Sequence, residues 1–405
     1  MDVSTHGSGP DLGARPRVLI SGCAPPPVGG IASVIQTILE SELAQRFCFE
    51  RFSTTQRRFN RRDLVSRAFN SVLARSVGFD GIVGLESRGK LRAFRAMLAK
   101  QPDLVHLHSS HGYDFWLSVL MARDARRSGV PSLLHLHGLF DVVVPYYSAI
   151  RRAVFARSLR VPDRIIVLSQ GWKRWFEGWL ESDRIEVVHN CVDTRRFPEP
   201  EWKRRTPGVR ILFVGTSDPR RKGGYDILAI ASEVVRAEPS ARFVFVGTDV
   251  DELERRFVRG TPLATHFEFT GSKDSVEIVR YFTNADLLLL PSYSEGLPIA
   301  LLEGMAAGLP VIATPVNGIP EAMTEPDHGL FVPSGDRPAL LRAVLALVRD
   351  PERRERMGRA GRARVQVEFD RTHFASRLCQ IYEGVLAERG KARGGEDRGA
   401  RQGAR

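Results

Sequence analysis

Short apolar runs of strand length alternate with helix-like stretches along almost the whole chain. The first run, Arg17–Gly22, contains β-branched residues and ends in glycine, and the next stretch repeats its apolar residues at helical spacing. Four more runs follow the same rhythm, at Asp103–His108, Pro131–His137, Arg164–Ser169 and Ile185–His189. Strands that alternate with helices predict a parallel sheet covered by helices on both faces.

The alternation is interrupted once and then resumes. Residues 194–208 are polar and contain three prolines, a composition typical of a linker. Six further runs follow, with the sequences VRILFVG, ARFVFVG, HFEFTG, ADLLLLPS, VIAT and GLFVPS. The sequence therefore predicts an α/β protein of two doubly wound parallel-sheet domains, 17–193 and 209–370.

The most informative segment follows the apolar run Leu287–Leu290. Glu295 and Gly296 lie in a predicted turn that leads into a predicted helix, Ile299–Ala307. A glycine-containing turn before a helix presents free N–H groups and the positive end of the helix dipole, which suit a diphosphate. Glu303 lies eight residues after Glu295, about one turn into the predicted helix. From that position its carboxylate could accept hydrogen bonds from a ribose diol.

A basic turn follows the first strand of the second half. Arg220, Arg221 and Lys222 come directly before Gly223. A departing nucleoside diphosphate gains negative charge, which fixed cations stabilise. The turn is therefore either a phosphate-binding site or a solvated basic loop, which charge runs usually are.

These segments together resemble the retaining GT-B glycosyltransferases of family 4, the glycosyl transferases group 1. EGLPIALLE matches the E-x7-E motif, GMAAGLPVIAT continues as in the family, and NCVDTRRF is similar to a family signature with Cys191 in place of glycine. The resemblance covers about Arg17 to about Tyr382. It implies two Rossmann-like domains that face a central cleft, with the donor in the C-terminal domain and the acceptor in the N-terminal domain.

The resemblance also implies roles for single residues near the donor. Glu295 would contact the hydroxyls of the donor sugar and act in catalysis, and Glu303 would contact the ribose. The backbone of Gly296 and Leu297 would hold the diphosphate. Gly271 would lie beside the base.

Further roles follow from the resemblance at both sides of the cleft. Lys222 and one of the two arginines before it, assigned to Arg221, would stabilise the diphosphate during catalysis. Gly29 and Gly30, after the first strand, would let the backbone approach the donor phosphates. His137 would contact the donor sugar at the reaction centre.

Four histidines end two neighbouring predicted strands: His106, His108, His135 and His137. Side chains alternate between the two faces of a strand, so His106 and His108 share one face of their strand, and His135 and His137 share one face of theirs. A zinc site therefore has to be considered. Without an accompanying cysteine, we expect packed structural roles for His106 and His135, and an acceptor-cleft position for His108. The D-x-D at 249–251 follows a strand and opens a helix, which helix capping explains better than metal binding. No metal and no other cofactor is predicted, because the nucleotide sugar is a substrate.

The net charge of +12 is concentrated in two segments. Residues 51–100 contain 12 lysines and arginines against three acidic residues, and 388–405 contain six against three. Within 57–75 the apolar residues form a helical stripe with the arginines mainly beside it. This pattern is typical of a helix on an anionic membrane, and equally of a helix packed on its domain with the arginines in water. A nucleic-acid binder would spread its charge over a groove or recognition helix, so no nucleic-acid partner is predicted.

Several segments have no expected place in the two sheets. Residues 1–16 lack the apolar core of a signal peptide, and 388–405 have almost no apolar residues, so both are predicted to be disordered. Residues 371–387 are predicted to form a helix that crosses back to the N-terminal domain. No apolar run approaches the ~20 residues that span a bilayer, which predicts a soluble or peripheral protein. The four widely spaced cysteines form no CxxC pair and favour a cytoplasmic location, where contact with the cytoplasmic face of the membrane remains one alternative.

The resemblance therefore implies a hexosyltransferase that moves a sugar from a UDP- or GDP-linked donor to an acceptor hydroxyl, with retained configuration. A lipid-linked, polysaccharide or glycolipid precursor would be the acceptor. One alternative is a sugar-nucleotide 2-epimerase of the same architecture, which needs no acceptor. A second is a non-catalytic protein that keeps the fold, against which the presence of Glu295, Glu303 and Lys222 argues.

Overall fold

The computed structural model of the 405-residue chain describes residues 15–23, 30–55, 85–200, 208–215, 218–247 and 250–402. Within these ranges, twelve strands form two separate six-stranded sheets. Several sequence predictions fall outside them: the leader up to residue 14, Gly29, the basic stretch 57–75, and Asp249 of the D-x-D. The four cysteines are all described and form no disulfide.

The first sheet belongs to the N-terminal domain and has the order β2-β1-β3-β4-β5-β6. Its strands are β1 (Arg17–Gly22), β2 (Cys48–Ser53), β3 (Leu104–Ser109), β4 (Ser132–Leu136), β5 (Arg164–Val167) and β6 (Ile185–Val187). All neighbouring pairs are parallel. Five of the six were predicted within one or two residues. The sequence missed β2, an edge strand with polar and charged residues among its apolar ones and only one buried position.

The second sheet has the order β12-β11-β10-β7-β8-β9 and is also entirely parallel. Its strands are β7 (Val209–Val214), β8 (Ala241–Val246), β9 (Phe267–Phe269), β10 (Leu287–Leu290), β11 (Val311–Ala313) and β12 (Gly329–Phe331). This is the strand order of a Rossmann-like, doubly wound domain, with its switch point between β7 and β10. The predicted fold class is confirmed for both domains.

Helices connect the strands and cover both faces of each sheet. The fifteen described α-helices are α1 (Gly30–Glu40), α2 (Leu43–Arg46), α3 (Leu85–Leu98), α4 (Tyr113–Arg127), α5 (Phe140–Val143), α6 (Ala149–Leu159), α7 (Gln170–Phe176), α8 (Gly224–Ala237), α9 (Val250–Leu253), α10 (Glu277–Thr283), α11 (Ile299–Ala306), α12 (Ile319–Ala322), α13 (Arg337–Val348), α14 (Pro351–Glu368) and α15 (Arg371–Gln402). Among them, none combines the length and hydropathy that crossing a bilayer requires.

The run of four leucines in β10 shows how each sheet builds its core. All four are fully buried. Leu287 and Leu289 face the apolar cluster that includes residues of α8 and α13, whereas Leu288 and Leu290 face the cluster that includes residues of α11. A strand that is covered on both faces needs apolar residues at every position, which explains its uninterrupted hydrophobic sequence.

The last helix, α15, leaves the C-terminal domain and packs on the first sheet. Phe374, Leu378, Tyr382 and Val385 are buried in one cluster with residues of β1, β3 and α1. An ion pair between Arg377 and Glu186, at 2.6 Å, ties the helix to β6. Burying this apolar face stabilises both the helix and the sheet below it.

The tail differs from its prediction. α15 continues to Gln402, whereas the sequence predicts disorder from residue 388. Adding a residue to an established helix is much easier than starting one, so the tail extends α15 although it contains five glycines, which are poor helix formers.

The docking of α15 can be tested with a single core substitution. Leu378→Ala removes a fully buried side chain from the interface and should lower the free energy of unfolding by about 2–5 kcal/mol. Urea unfolding would measure the change, with Gln380→Ala on the exposed side of the same helix as the control. An unchanged midpoint for Leu378→Ala would show that α15 does not contribute to the core.

Candidate active site between the two domains

The carboxyl ends of both sheets meet at one interface. Glu321, on α12, accepts hydrogen bonds from the backbone N–H groups of Gln170 and Gly171 at the start of α7, both at 2.9 Å. The Asn190 side chain, after β6, donates to the carbonyl of Leu297 at 2.6 Å. Loops that follow strands of the two domains therefore line a shared cleft, which is where doubly wound sheets bind ligands.

Glu295 lies at the centre of a buried charged group in this cleft. Glu295 is 6% exposed, and one of its carboxylate oxygens lies 2.6 Å from the ammonium of Lys222. The guanidinium of Arg221 is 3.6 Å from the same oxygen, and the Ser292 hydroxyl donates to it at 3.0 Å. The structure thus brings together the two cations and the first glutamate that the sequence singled out.

The basic turn is held against the strand end by its own backbone. Gly223 has a φ of 78°, and a Cβ at this position would lie 2.2 Å from the carbonyl oxygen of Pro291. Only glycine permits both this conformation and this close approach. The Tyr293 N–H donates to the Arg221 carbonyl at 2.8 Å, and the Arg221 guanidinium donates to the Ser294 carbonyl at 2.7 Å. These contacts fix the cations beside Glu295.

The structure also distinguishes the two adjacent arginines. The guanidinium of Arg220 lies over the ring of Tyr225, 5.0 Å from its centre. Arg221 instead lies beside the carboxylate of Glu295. Arg221 is therefore the arginine placed for a role in the cleft.

Gly296 and Leu297 connect Glu295 to α11 and touch the other domain. A Cβ on Gly296 would lie 2.8 Å from a terminal methyl group of Leu168, so a larger residue here would displace that side chain where the domains pack. Pro298 precedes α11 without a side-chain cap, and the first N–H groups of the helix therefore remain for another acceptor. This end of the helix carries the positive part of its dipole.

Glu303 lies on α11, eight residues beyond Glu295. Burial raises the pKa of its carboxyl to about 7, and the charge of Arg196 partly offsets that effect. Arg196 lies in the segment that links the two domains. A carboxylate that is poorly solvated in this way gains from donors such as ribose hydroxyls.

His137 follows β4 on the opposite side of the cleft. Its Nε2 lies 3.0 Å from Nδ1 of His108, within hydrogen-bond distance. Burial lowers the pKa of His137 to about 3, so its ring is neutral at physiological pH. It can therefore offer a hydrogen bond to a sugar but not a positive charge.

The remaining predicted positions lie further along the strand ends. Gly271 follows β9, and its carbonyl accepts a hydrogen bond from the Gly247 N–H at 2.9 Å. Gly30 is the first residue of α1. His106, predicted to be packed, is fully buried.

The sequence analysis missed Asn317, which joins the domains at the centre of the site. Its side-chain amide donates to the Asp141 carboxylate at 3.0 Å and to the Glu295 carbonyl at 2.5 Å. Its φ of 45° is unusual for a residue other than glycine. The Asn-Gly pair at 317–318 marks a turn in the sequence, but no local pattern identifies Asp141 as its partner.

Two family descriptions match consecutive parts of the chain. The model of Glycosyltransferase Family 4 matches residues 29–196, and the model of Glycosyl transferases group 1 matches residues 196–364. A pair of Rossmann-like domains that face one cleft through their strand ends defines a GT-B protein. The chain belongs to family 4 of the GT-B glycosyltransferases.

Individual relatives are more distant. A glycogen synthase of Mycobacterium tuberculosis is 29% identical over 214 residues, which cover 51% of this chain and 50% of the relative. The chain thus spans about half the length of that enzyme. A phosphatidyl-myo-inositol mannosyltransferase of Mycolicibacterium smegmatis is 27% identical over 70% of this chain and 71% of its own length. The structure of Anabaena HepE, solved with UDP and glucose, superposes with a TM-score of 0.71 at 16% identity, over 91% of this chain and 100% of HepE.

The raised pKa of Glu303 predicts a specific dependence of stability on pH. The carboxyl titrates near 4.5 without this burial and near 7 in the folded chain, so folding takes up a proton between these values. The free energy of unfolding therefore falls as the pH rises through this interval, and the loss persists above it. Glu303→Gln lacks the titration and should gain about 1–3 kcal/mol relative to wild type between about pH 5 and about pH 8.

Urea unfolding of both proteins across that pH range measures the difference. Glu233→Gln, at an exposed position on α8, is the matched control and should show a constant offset. A constant offset for Glu303→Gln as well would contradict the raised pKa.

Proposed function

We propose that the chain transfers a hexose from a nucleoside-diphosphate sugar to an acceptor hydroxyl, with the anomeric configuration retained. The observation that carries the proposal is that Lys222 and Arg221 lie beside the carboxylate of Glu295, next to the uncapped start of α11. Two cations and a helix N-terminus suit a diphosphate, and the carboxylate among them suits the hydroxyls of the attached sugar.

The proposed reaction needs charge stabilisation more than proton transfer by the protein. The bond between the anomeric carbon and the diphosphate oxygen breaks, and its electrons leave with the nucleoside diphosphate. Lys222, Arg221 and the N–H groups at the start of α11 stabilise the charge that develops there. No divalent metal is required for that task.

Retention follows from a route on a single face of the sugar. The acceptor oxygen forms its bond to the anomeric carbon on the face that the diphosphate leaves, and its proton passes to the departing phosphate. The Glu295 carboxylate is engaged by Lys222, so we assign it to holding the sugar and not to nucleophilic attack. His137, neutral at the other side of the cleft, orients the sugar by hydrogen bonding.

The relatives support UDP or GDP as the nucleotide and a lipid-linked or glycan acceptor. One relative is named for mannosyl transfer to phosphatidyl-myo-inositol, a corynebacterial relative is named as GDP-mannose-dependent, and one structural neighbour was solved with UDP. A sugar-nucleotide 2-epimerase remains the second candidate, because it would use the same donor site. It would convert the donor without any acceptor.

We also propose peripheral contact with the cytoplasmic face of an anionic membrane. The basic segment 51–100 belongs to the domain assigned to the acceptor, and anionic lipids attract such segments. A lipid-linked acceptor would then lie where the enzyme is concentrated.

Substitutions at Glu295 and Lys222 separate sugar handling from diphosphate binding. Glu295→Ala should reduce transfer by about 10²–10³-fold while nucleoside diphosphate still binds, because both cations remain. Lys222→Ala should weaken transfer and nucleoside diphosphate binding together. Nucleotide release from UDP-, GDP- and ADP-sugars, with and without membrane lipid extract, measures the first quantity, and calorimetry the second.

Glu233→Ala removes an exposed glutamate from the same domain and should leave both quantities unchanged. Wild-type turnover in Glu295→Ala would overturn the proposed site. Donor conversion that is independent of lipid extract and yields no glycoside would favour the epimerase.

The membrane proposal makes a separate prediction. Replacing Arg61, Arg62 and Arg67 by glutamine should weaken binding to anionic liposomes, since each basic residue near the surface contributes about 1 kcal/mol. Hydrolysis of soluble donor should stay unchanged. The charge-matched control replaces Arg255, Arg256 and Arg259 of the C-terminal domain, which are exposed. Equal losses of liposome binding and hydrolysis would mean that the segment is structural.

A further inference from the structure

Four histidines form a cluster on one face of the first sheet. His106 and His108 lie on β3, His135 lies on β4, and His137 follows it. His108 and His135 are register partners, and residues two apart on a strand share a face. His106 and His135 are 0% exposed and His108 is 2% exposed, so the cluster is part of the core beneath α15.

Four ring nitrogens of this cluster are buried without a hydrogen-bond partner. They are Nε2 of His106, Nε2 of His108, and both nitrogens of His135. A buried polar atom without a partner costs roughly 1–3 kcal/mol. Four such atoms in one place would be satisfied by a bound ion or by water.

The partnered nitrogens show how the rings are arranged. Nδ1 of His106 lies 2.7 Å from the hydroxyl of Tyr382, and Nδ1 of His108 lies 3.0 Å from Nε2 of His137. Histidines that ligate metals typically donate one ring N–H to a neighbour and keep the lone pair of the other nitrogen for the ion. The Nε2 atoms of His106 and His108 are therefore the ones available to an ion, and the ring of His135 lies beside them.

We propose that His106, His108 and His135 bind one divalent transition-metal ion, with zinc as the preferred metal. Their ligand nitrogens lie within 4.8 Å of one another. Zinc bonds of about 2.0–2.1 Å place tetrahedral ligands about 3.4 Å apart, so modest rotation of the rings brings the three nitrogens to the ion, and a water molecule would take the fourth position. Three imidazoles favour zinc, copper or nickel over magnesium or calcium.

The ion has a structural role in this proposal. It joins β3 to β4 and, through His106 and Tyr382, joins both strands to α15. Through His108 it also fixes the ring of His137. Lys222 and Glu295 lie on the other domain, so no step of sugar transfer runs through the ion.

Metal analysis of the full-length protein tests the proposal directly. The protein is purified with a tag that contains no histidine, in buffers without added metal or chelator. Mass spectrometry of the elements should find about one zinc ion per chain. A strong chelator should lower the Tm by about 5 °C or more, and added zinc should restore it. Cobalt(II) added to the chelated protein should give the visible absorption of a tetrahedral site.

Three variants assign the metal to this cluster. His135→Gln should lose the zinc and the response of its Tm to chelator, and His135→Cys should retain both because a thiolate also ligates zinc. His373→Gln, at an exposed position on α15, should behave as wild type. Wild-type protein without metal, whose Tm does not respond to zinc, overturns the proposal and leaves water as the occupant. That result needs no variant, so it holds even if the His135 variants fail to fold.

Discussion

The two domains meet through the carboxyl ends of their sheets, and the proposed site depends on that contact. Leu168, after β5, packs closely against Gly296. Polar bonds close the same interface, since Asn190 donates to the carbonyl of Leu297 and Glu321 accepts from the start of α7. The loops at such strand ends present the backbone N–H groups and helix N-termini that bind anions, so joining two of them creates one binding cleft.

The same contact sets the electrostatics of the site. Glu295 is buried, and burying an ionised carboxylate without partners would be very unfavourable. Lys222, Arg221 and Ser292 compensate for the lost solvation. The charges therefore act as a unit, because removing one partner leaves another buried and unpaired. A diphosphate that enters the cleft adds negative charge to a group that already holds two cations, which favours its binding.

Much of the fold could be predicted from sequence, and the interface between the domains could not. A strand covered on both faces, such as β10, reads as a continuous apolar run, and eleven of the twelve described strands gave a recognisable strand signal, some as a continuous run and some with a charged residue inside it. The edge strand β2 did not, because its side chains are only partly buried. Lys222 and Glu295 were predictable because each lies in a local motif. The roles of Asn317 and Asp141 depend on a partner in the other domain, which no local periodicity encodes.

The crossing between the domains shows why a motif position need not keep its residue type. Cys191 stands where the family has glycine, yet the described non-glycine residues with positive φ are Gln101 and Asn317. The backbone at Cys191 is thus one that any residue adopts. The crossing is fixed instead by pairing of Val192 with Asp370, where the chain returns from the C-terminal domain. Because α15 begins at that point, the helix that completes the N-terminal core also starts where the two domains are joined.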